Sequence, residues 1–560
     1  MNLDPHQTAA VLSPAPRILL RAGAGSGKTR VLVSRVVRLL RSGAHPAEIL
    51  CLTFTRVAAG EMRDRILAEL PDWRGMSKLR VTTFHAWAAR LLREYHDVVG
   101  YSRDFTIRDD QDRTDLIKFV GAELALKWKS AARLWEEDVV RSRYRELMRE
   151  AQAMGYDDLE HELGRLLAHP DVADQLRRRW LHVLVDEMQD TSGDQQAILD
   201  ALAPVNLFVV GDHAQSVYGF RGASPAGFTD LGGREGWAVL ELPINYRSVP
   251  EIVESANTIA EDMTPPGLQM IAARPSESEW AASVEIGALL EDMEPVYRQN
   301  PADDLAVLAP TWAILRELSG HLTSAGIPWR LARPLADVWE SEEMRWLIQC
   351  LRAALNPDDH LSLHSALSAF TPRIGIGDWS RVRAASLTDG SPILSCLRER
   401  MPAGCSWLVE AMATADHMEI AWALADELDR LHLTTKAAYM RDVVIEAIET
   451  YQHDATAETP EGERLALLDY YATRHLDADA AEADEKESAV TLSTIHGAKG
   501  LEWPCVWILA WNEGAADSFG RAIRWMGRDR EEQLRLRYVA VTRARDRLRF
   551  VVHPVVEPKS

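Results

Sequence analysis

Cysteine is scarce in this chain. The five present, Cys51, Cys350, Cys396, Cys405 and Cys505, are scattered through 560 residues and none forms a CxxC pair. That spacing points to neither a zinc site nor a disulfide framework. A reducing, cytoplasmic setting is expected. Long apolar runs are lacking too: none approaches the ~20 residues of a membrane-crossing helix, so no membrane association is expected. The opening MNLDPHQTAAV has no basic segment followed by an apolar one, and no secretory signal is expected. Basic charge is in deficit, with a net charge of -21 at pH 7. No lysine occurs between Lys129 and Lys436, which reads as a bias of composition. Phosphate backbones attract basic surfaces, so the deficit weighs against a broad nucleic-acid face. A large enzyme that is acidic outside still has room for one basic groove. No repeat of about 20–50 residues is present.

What remains is ordinary for a folded protein, with 47% hydrophobic and 26% charged residues. The length predicts about two to four domains. Short apolar runs that end in polar loops and lead into helical patterns occur at Arg17–Leu20, Ile49–Phe54, His182–Val185, Leu207–Val210 and Ala238–Leu240. Strands alternating with helices imply a parallel α/β sheet. A second set, Leu305–Leu308, Val490–Ser493, Val506–Ala510 and Arg549–Val552, is broken by more than 150 residues after its first member. A second sheet with a long insertion is therefore expected. Residues ~86–179 and ~356–487 read as helical from Leu, Ala, Arg and Glu at i, i+3, i+4 spacing. The acidic stretch Asp477–Glu487 reads as a solvated linker.

Residues 22–29 read AGAGSGKT between the apolar ILL and the helical pattern RVLVSRVVRLL. Glycines let backbone N–H groups converge on phosphates, and the following helix adds its positive end. The predicted cradle is Ala22, Gly23, Ala24, Gly25, Ser26, Gly27, Lys28, Thr29 and Arg30. Lys28 would reach the β- and γ-phosphates and Thr29 would ligate Mg²⁺. Ala22 stands where the usual pattern has glycine, and a plain glycine turn capping a helix is the alternative. His182–Asp190, HVLVDEMQD, reads as a buried strand with Asp186 and Glu187 emerging at its carboxyl end, where ligands of open α/β sheets sit. Asp186 would hold Mg²⁺ and Glu187 would deprotonate the attacking water. By itself a strand followed by Asp-Glu also fits a surface turn.

Taken in order, these and further segments resemble the UvrD/Rep/PcrA group of superfamily 1 DNA helicases. LDPHQ (3–7), LTFTRVAAGEMRDR (52–65), TFHAWAARLL (83–92), VDEMQDTS (185–192), VVGDHAQSVYGFRGA (209–223), LPINYRS (242–248), VTLSTIHGAKGLEW (490–503) and LRLRYVAVTRARDRL (534–548) follow the family order. The resemblance implies an α/β fold of two RecA-like parallel-sheet P-loop cores, each with a helical insertion. The expected boundaries are 1–85 and 180–244 for the first core around an insertion at 86–179. The second core takes 245–355 and 488–560 around an insertion at 356–487. ATP and Mg²⁺ are the implied cofactors. Single-stranded DNA and single-strand/duplex junctions are the implied partners, with 3′→5′ movement.

The family also implies roles. Gln7 would bond the adenine edge and Tyr246 stack on its face. Arg247 and Arg543 would enter as arginine fingers, Gln215 would sense the γ-phosphate, and Glu502 would complete the ATP cleft. DNA would be met by Phe54, His85, Tyr218, Phe220, Arg221 and His496, because every base offers a stackable face. TPRIGIG (371–377) resembles the family's GIG loop, in which Gly375 and Gly377 would let backbone N–H groups meet a duplex phosphate. A plain helix-to-helix turn is the alternative there. The segment LRLRYVAVTRARDRL (534–548) ends about a dozen residues before Ser560, so the C-terminal extension of larger relatives is expected to be absent, with no room for a fused nuclease. Two other readings stay open: a translocase that strips proteins and unwinds poorly, and a DNA-sensing ATPase that regulates a partner nuclease in phage defence.

Overall fold

The computed structural model describes residues 3–71, 73–126, 130–219, 225–276, 281–299, 301–332, 341–356, 358–370, 407, 410–412, 416–449, 460–473, 489–512 and 529–553. The chain forms two compact units. The larger comprises Met1–Phe84, Leu167–Leu335 and Leu476–Ser560, and the smaller His85–Leu166 and Ala336–His475. Among the described residues no helix is long and apolar enough to cross a membrane.

Two six-stranded sheets build the larger unit. The first runs Arg80–Thr83, Ile49–Thr53, His182–Val185, Asn206–Gly211, Arg17–Ala22, Trp237–Leu242, all neighbours parallel. The second runs Ala281–Glu285, Ala544–Val552, Trp503–Ile508, Leu305–Ala309, Val490–Thr494, Trp329–Leu331, again all parallel. Helices cover both faces of such sheets, so inner strands are apolar throughout rather than alternating. Ile49–Thr53 and Leu305–Ala309 are buried at every residue. Helix Lys28–Arg41 packs Val31, Val33, Val36, Val37 and Leu40 onto the first sheet's core. The phosphate loop, Asp186–Glu187 and the turn Asp212–Gln215 follow strands Arg17–Ala22, His182–Val185 and Asn206–Gly211, which are adjacent in the sheet. Their carboxyl ends therefore open at one place, as open α/β sheets require of a ligand site.

The smaller unit gathers segments from both expected insertions. It is mainly helical but contains a two-stranded parallel sheet, Thr106–Arg108 with Ala153–Gly155. Helix Glu342–Leu355, placed in the second core by the sequence reading, belongs to this unit instead. Its Met344, Leu347, Ile348 and Leu351 are buried against Leu363, Leu424 and Leu468 of neighbouring helices. Helix Pro170–Arg179, read as insertion, lies in the larger unit. Buried charge joins the two segments of the smaller unit. Arg352, wholly buried, donates to Asp112 Oδ2 at 2.5 Å and to the Ile107 carbonyl at 2.6 Å, while Gln349 donates to Asp112 Oδ1 at 2.9 Å. Arg108 pairs with Asp359, which also accepts from Thr106 Oγ1 at 2.6 Å. Removing one partner strands the other as a buried charge. Arg352→Met is therefore expected to destabilise this unit by ~3–5 kcal/mol. Amide hydrogen exchange across 110–123 and 342–355 reads the loss. Adding Asp112→Leu should recover most of the protection, and an unchanged exchange pattern in the single variant would contradict the account.

Candidate nucleotide and DNA-contact site

The phosphate loop folds as its glycines dictate. Gly25 and Gly27 have φ of 64° and 82°, in the left-handed region. A Cβ on Gly25 would stand 2.6 Å from Arg247 Cβ, so only glycine lets the loop approach the second core this closely. Ser26 Oγ donates to the Gly23 carbonyl at 2.7 Å. Gln7, buried, closes the loop by donating Nε2 to the Ser26 carbonyl at 3.0 Å, and Gln7 is itself held in the capping box of helix Pro5–Leu12 by Asp4. Ala22 and Ala24 are buried in the sheet end, Thr29 is half-buried and Arg30 exposed.

Lys28 begins the helix, and its ammonium lies 3.3 Å from Glu187 Oε2. Glu187 has φ of 48°, a left-handed conformation held by a non-glycine residue. Such outliers persist only where the surroundings over-determine them. Here the Asp186 carboxylate accepts from the Glu187 amide at 3.0 Å and Gln189 Nε2 donates to Glu187 Oε2 at 2.6 Å. Burial and the neighbouring Glu187 charge raise Asp186 to about 7. Burial pushes Glu187 upward as well, but the Lys28 and Lys499 ammonium groups outweigh it and hold Glu187 down at about 2. The two adjacent carboxyls are thus driven apart, one inclined to hold a proton or cation and the other fully ionised.

From the second core come two guanidiniums. Arg247 is ion-paired to Glu502 and donates Nη1 to the Thr542 carbonyl at 3.0 Å. Arg543 is buried and donates to the carbonyls of Val539 and Leu501 at 3.0 and 3.1 Å, and to Gln215 Oε1 at 3.3 Å. Burial, then repulsion from Arg247, lowers Arg543 to about 9. Two cations held near one another at such cost favour an anion between them. Gln215 donates in turn to Asp212 at 2.7 Å, whose carboxylate also meets the Tyr538 hydroxyl at 3.3 Å. Tyr246 is 44% exposed and donates its hydroxyl to Asp4 Oδ2 at 2.6 Å. A flat exposed ring beside the loop suits a stacked base.

The donor set fits a nucleotide polyphosphate. Lys28, Arg247 and Arg543 bring positive charge to the loop, and Thr29 and Asp186 are the oxygen-bearing side chains that could face a small hard cation there. Among the described residues no group of three or more His, Cys, Asp or Glu could hold a metal.

Among the expected DNA residues, Phe54 is half-buried and stacks on Tyr218, with centroids 5.0 Å apart and planes at 16°, but Tyr218 is itself buried, so of the two rings Phe54 is the one partly open to a base. His496 is half-buried in the loop after Val490–Thr494. His85 lies in the smaller unit, where its ring sits 3.1 Å from Glu160 and 5.1 Å from Tyr156. Phe220, Arg221, Gly375 and Gly377 lie outside the described residues. Sequence reasoning missed two residues of the larger unit. Asn245, buried, donates to the Ala24 carbonyl at 2.8 Å and accepts from the amides of Arg247 and Ser248. Lys499 pairs with Asp190. Both sit inside segments already quoted, Asn245 in LPINYRS and Lys499 in VTLSTIHGAKGLEW, so their place in those segments was the available signal.

Two parallel sheets, a glycine loop entering a helix, an adjacent Asp-Glu pair and arginines arriving from the second sheet define a tandem-core P-loop protein. Residues 3–137 and 124–233 match the UvrD/REP helicase N-terminal domain, and 419–554 match the UvrD-like helicase C-terminal domain. The chain is similar to the ATP-dependent DNA helicase UvrD1 of Mycobacterium tuberculosis, at 30% identity over 100% of this chain and 84% of that protein. It is similar also to DNA helicase II of Escherichia coli, at 29% over 98% of this chain and 84% of the relative. To the ATP-dependent DNA helicase PcrA of Staphylococcus aureus it has 28% identity over 99% of this chain and 83% of the relative. The chain belongs to the UvrD/REP helicase family.

Proposed function

We propose that this protein hydrolyses ATP, with Mg²⁺, to move 3′→5′ on single-stranded DNA and part duplex ahead of it, in DNA repair, replication or recombination. The observation that carries the proposal is that Arg247 of the second core lies against the phosphate loop at Gly25 and Arg543 is bonded to Gln215 within electrostatic reach of Glu187, which pairs with Lys28. Hydrolysis requires charge to be stabilised around the γ-phosphate and a water to be deprotonated. Lys28 leaves Glu187 for the phosphates, which frees the carboxylate to take the water's proton. Arg247 and Arg543 lie against the developing charge with rigid forks that match phosphate oxygens. Gln215, bonded to Arg543, sits where it would report the γ-phosphate to the turn that leads into Tyr218. Thr29 and Asp186 would hold Mg²⁺, which when bound would neutralise charge on the phosphates.

Gln7 and Tyr246 would take the adenine, and Glu502 keeps Arg247 in place. Phe54 would accept a base, backed by the buried Tyr218 ring, with Phe220 and Arg221 from the same motif as Tyr218 and His496 from the 490–503 segment; His85, Gly375 and Gly377 would add contacts from the insertions. Strand displacement tests the reading on duplexes with a 3′ tail, a 5′ tail or blunt ends. ATP-dependent displacement is expected from the 3′ tail only. Displacement from the 5′ tail alone would overturn the polarity, and none from any substrate would overturn unwinding.

A further inference from the structure

Lys499 belongs to the second core, in the loop after strand Val490–Thr494, yet its ammonium is ion-paired to Asp190 of the first core, three residues beyond Glu187. Both side chains are almost wholly out of water, at 9% and 0% exposure. The same ammonium lies 4.5 Å from the centroid of the Tyr218 ring, and that ring stacks on Phe54. On the far side of Asp190, one side-chain amide serves two carboxylates: Gln189 Nε2 donates to Glu187 Oε2 at 2.6 Å and to Asp190 Oδ2 at 3.2 Å. Contacts therefore run without a break from Glu187 through Gln189, Asp190, Lys499 and Tyr218 to Phe54.

Charge arithmetic gives this path its stiffness. A buried charge is retained only with partners that compensate it. Asp190 Oδ1 is buried with no hydrogen-bond partner among the described residues, so the Asp190 charge rests on Lys499 and on Gln189. The Gln189 amide has two protons to give, now divided between Asp190 and Glu187. Were Lys499 to move off Asp190, that amide would be drawn toward Asp190, and Glu187 would lose one of the groups that orient it. Lys499 in turn is held over the Tyr218 ring by a cation–π contact, which depends on where the ring lies.

We propose that Lys499 is a positioning residue, an inter-core latch through which a base that shifts the Tyr218 ring resets the orientation of the Glu187 carboxylate by way of Asp190 and Gln189. The latch rests on the reading above that Glu187 is the base and that a base stacking on Phe54 shifts the buried Tyr218 ring against it. It accounts for how occupancy of the DNA face is felt at the ATP site without any residue touching both.

Steady-state ATPase of the full chain, with and without an oligodeoxythymidine, tests it. Wild type is expected to be strongly stimulated by the oligonucleotide. In Lys499→Met, kcat at saturating oligonucleotide should fall about tenfold, since small misplacements of a catalytic group cost rate steeply. The KM for ATP and the half-saturating oligonucleotide concentration should stay within about threefold of wild type. Lys499→Arg should restore kcat to within about threefold, and Lys499→Met combined with Asp190→Asn should fall no further than the single change, as expected for residues acting through one contact. Full stimulated kcat in Lys499→Met, or a loss tracked by an equal rise in KM or half-saturation, would overturn the latch; so would multiplied losses in the double variant. If Lys499→Met does not fold, Asp190→Asn and Lys499→Arg decide: a tenfold loss in the first with near wild-type rate in the second supports the latch, and the reverse refutes it. A wild type indifferent to the oligonucleotide overturns the functional reading itself, and the latch with it.

Discussion

Arg543→Ala is expected to lower the DNA-stimulated kcat for ATP by about 10³, the low end for loss of an arginine finger. The guanidinium is buried, anchored by the Val539 and Leu501 carbonyls, and turned toward Gln215. Burial and the Arg247 charge both disfavour it there, bringing it down to about 9. A site that holds a cation against such costs has been organised for an anion, and one that bears more charge in the transition state gains most. Arg543→Lys should recover little, because an ammonium cannot reproduce the planar fork or its bonds to Val539, Leu501, Gln215 and Thr542. Nucleotide affinity, read by fluorescence titration, separates this from simple loss of binding: it should change far less than kcat. A stimulated kcat within tenfold of wild type in Arg543→Ala would remove the residue from the reaction.

Glu187→Gln should cut hydrolysis by ~10² or more, as loss of a general base does, while ATP remains bound. The change is close to isosteric. Glutamine tolerates the left-handed backbone at this position about as well as glutamate does, so the φ of 48° is not newly strained. It also removes the negative partner of Lys28, leaving that ammonium freer for phosphate. Lys28→Ala should behave in the opposite sense, raising the KM for ATP because the positive group itself is gone. The two variants are told apart by equilibrium binding of a non-hydrolysable analogue. Wild-type turnover in Glu187→Gln would mean that the base lies elsewhere.

Much of the fold was legible because inner parallel strands are continuous apolar runs. The runs at Arg17–Leu20, Ile49–Phe54, His182–Val185 and Leu305–Leu308 lie on strands Arg17–Ala22, Ile49–Thr53, His182–Val185 and Leu305–Ala309. Of the four edge strands of the two six-stranded sheets, Trp237–Leu242 was anticipated by the run Ala238–Leu240 and the other three escaped notice. Arg80–Thr83 is short and half polar, Ala281–Glu285 is built of small residues, and Trp329–Leu331 has three residues, too few to show a period. The small parallel pair Thr106–Arg108 and Ala153–Gly155 was hidden inside a helical pattern for the same reason. In the site, the phosphate loop and the Asp-Glu pair announce themselves by local order of strand, loop and side chain. Lys499 does not. Its partners Asp190 and Tyr218 lie nearly 300 residues or more away along the chain, and no local pattern records such a pairing. The union of two insertion segments in one unit was equally invisible, since it depends on Arg352 meeting Asp112 and Arg108 meeting Asp359.

The passage of the chain from one sheet to the other also has a consequence for building chimaeras. Leaving strand Trp237–Leu242, the backbone is stitched to the phosphate loop at three successive points: the Leu242 carbonyl accepts from Gly23, Asn245 donates to Ala24, and the Tyr246 amide donates to Gly25. Arg247 Cβ then fills the space a side chain at position 25 would need. The crossover is therefore a wall of the nucleotide pocket and not a neutral tether. Halves of two relatives joined at 242–248 would inherit a loop from one parent and its lining from the other. A functional hybrid needs residues 4–7, 22–30 and 242–248 from a single parent, wherever else the sequences are exchanged.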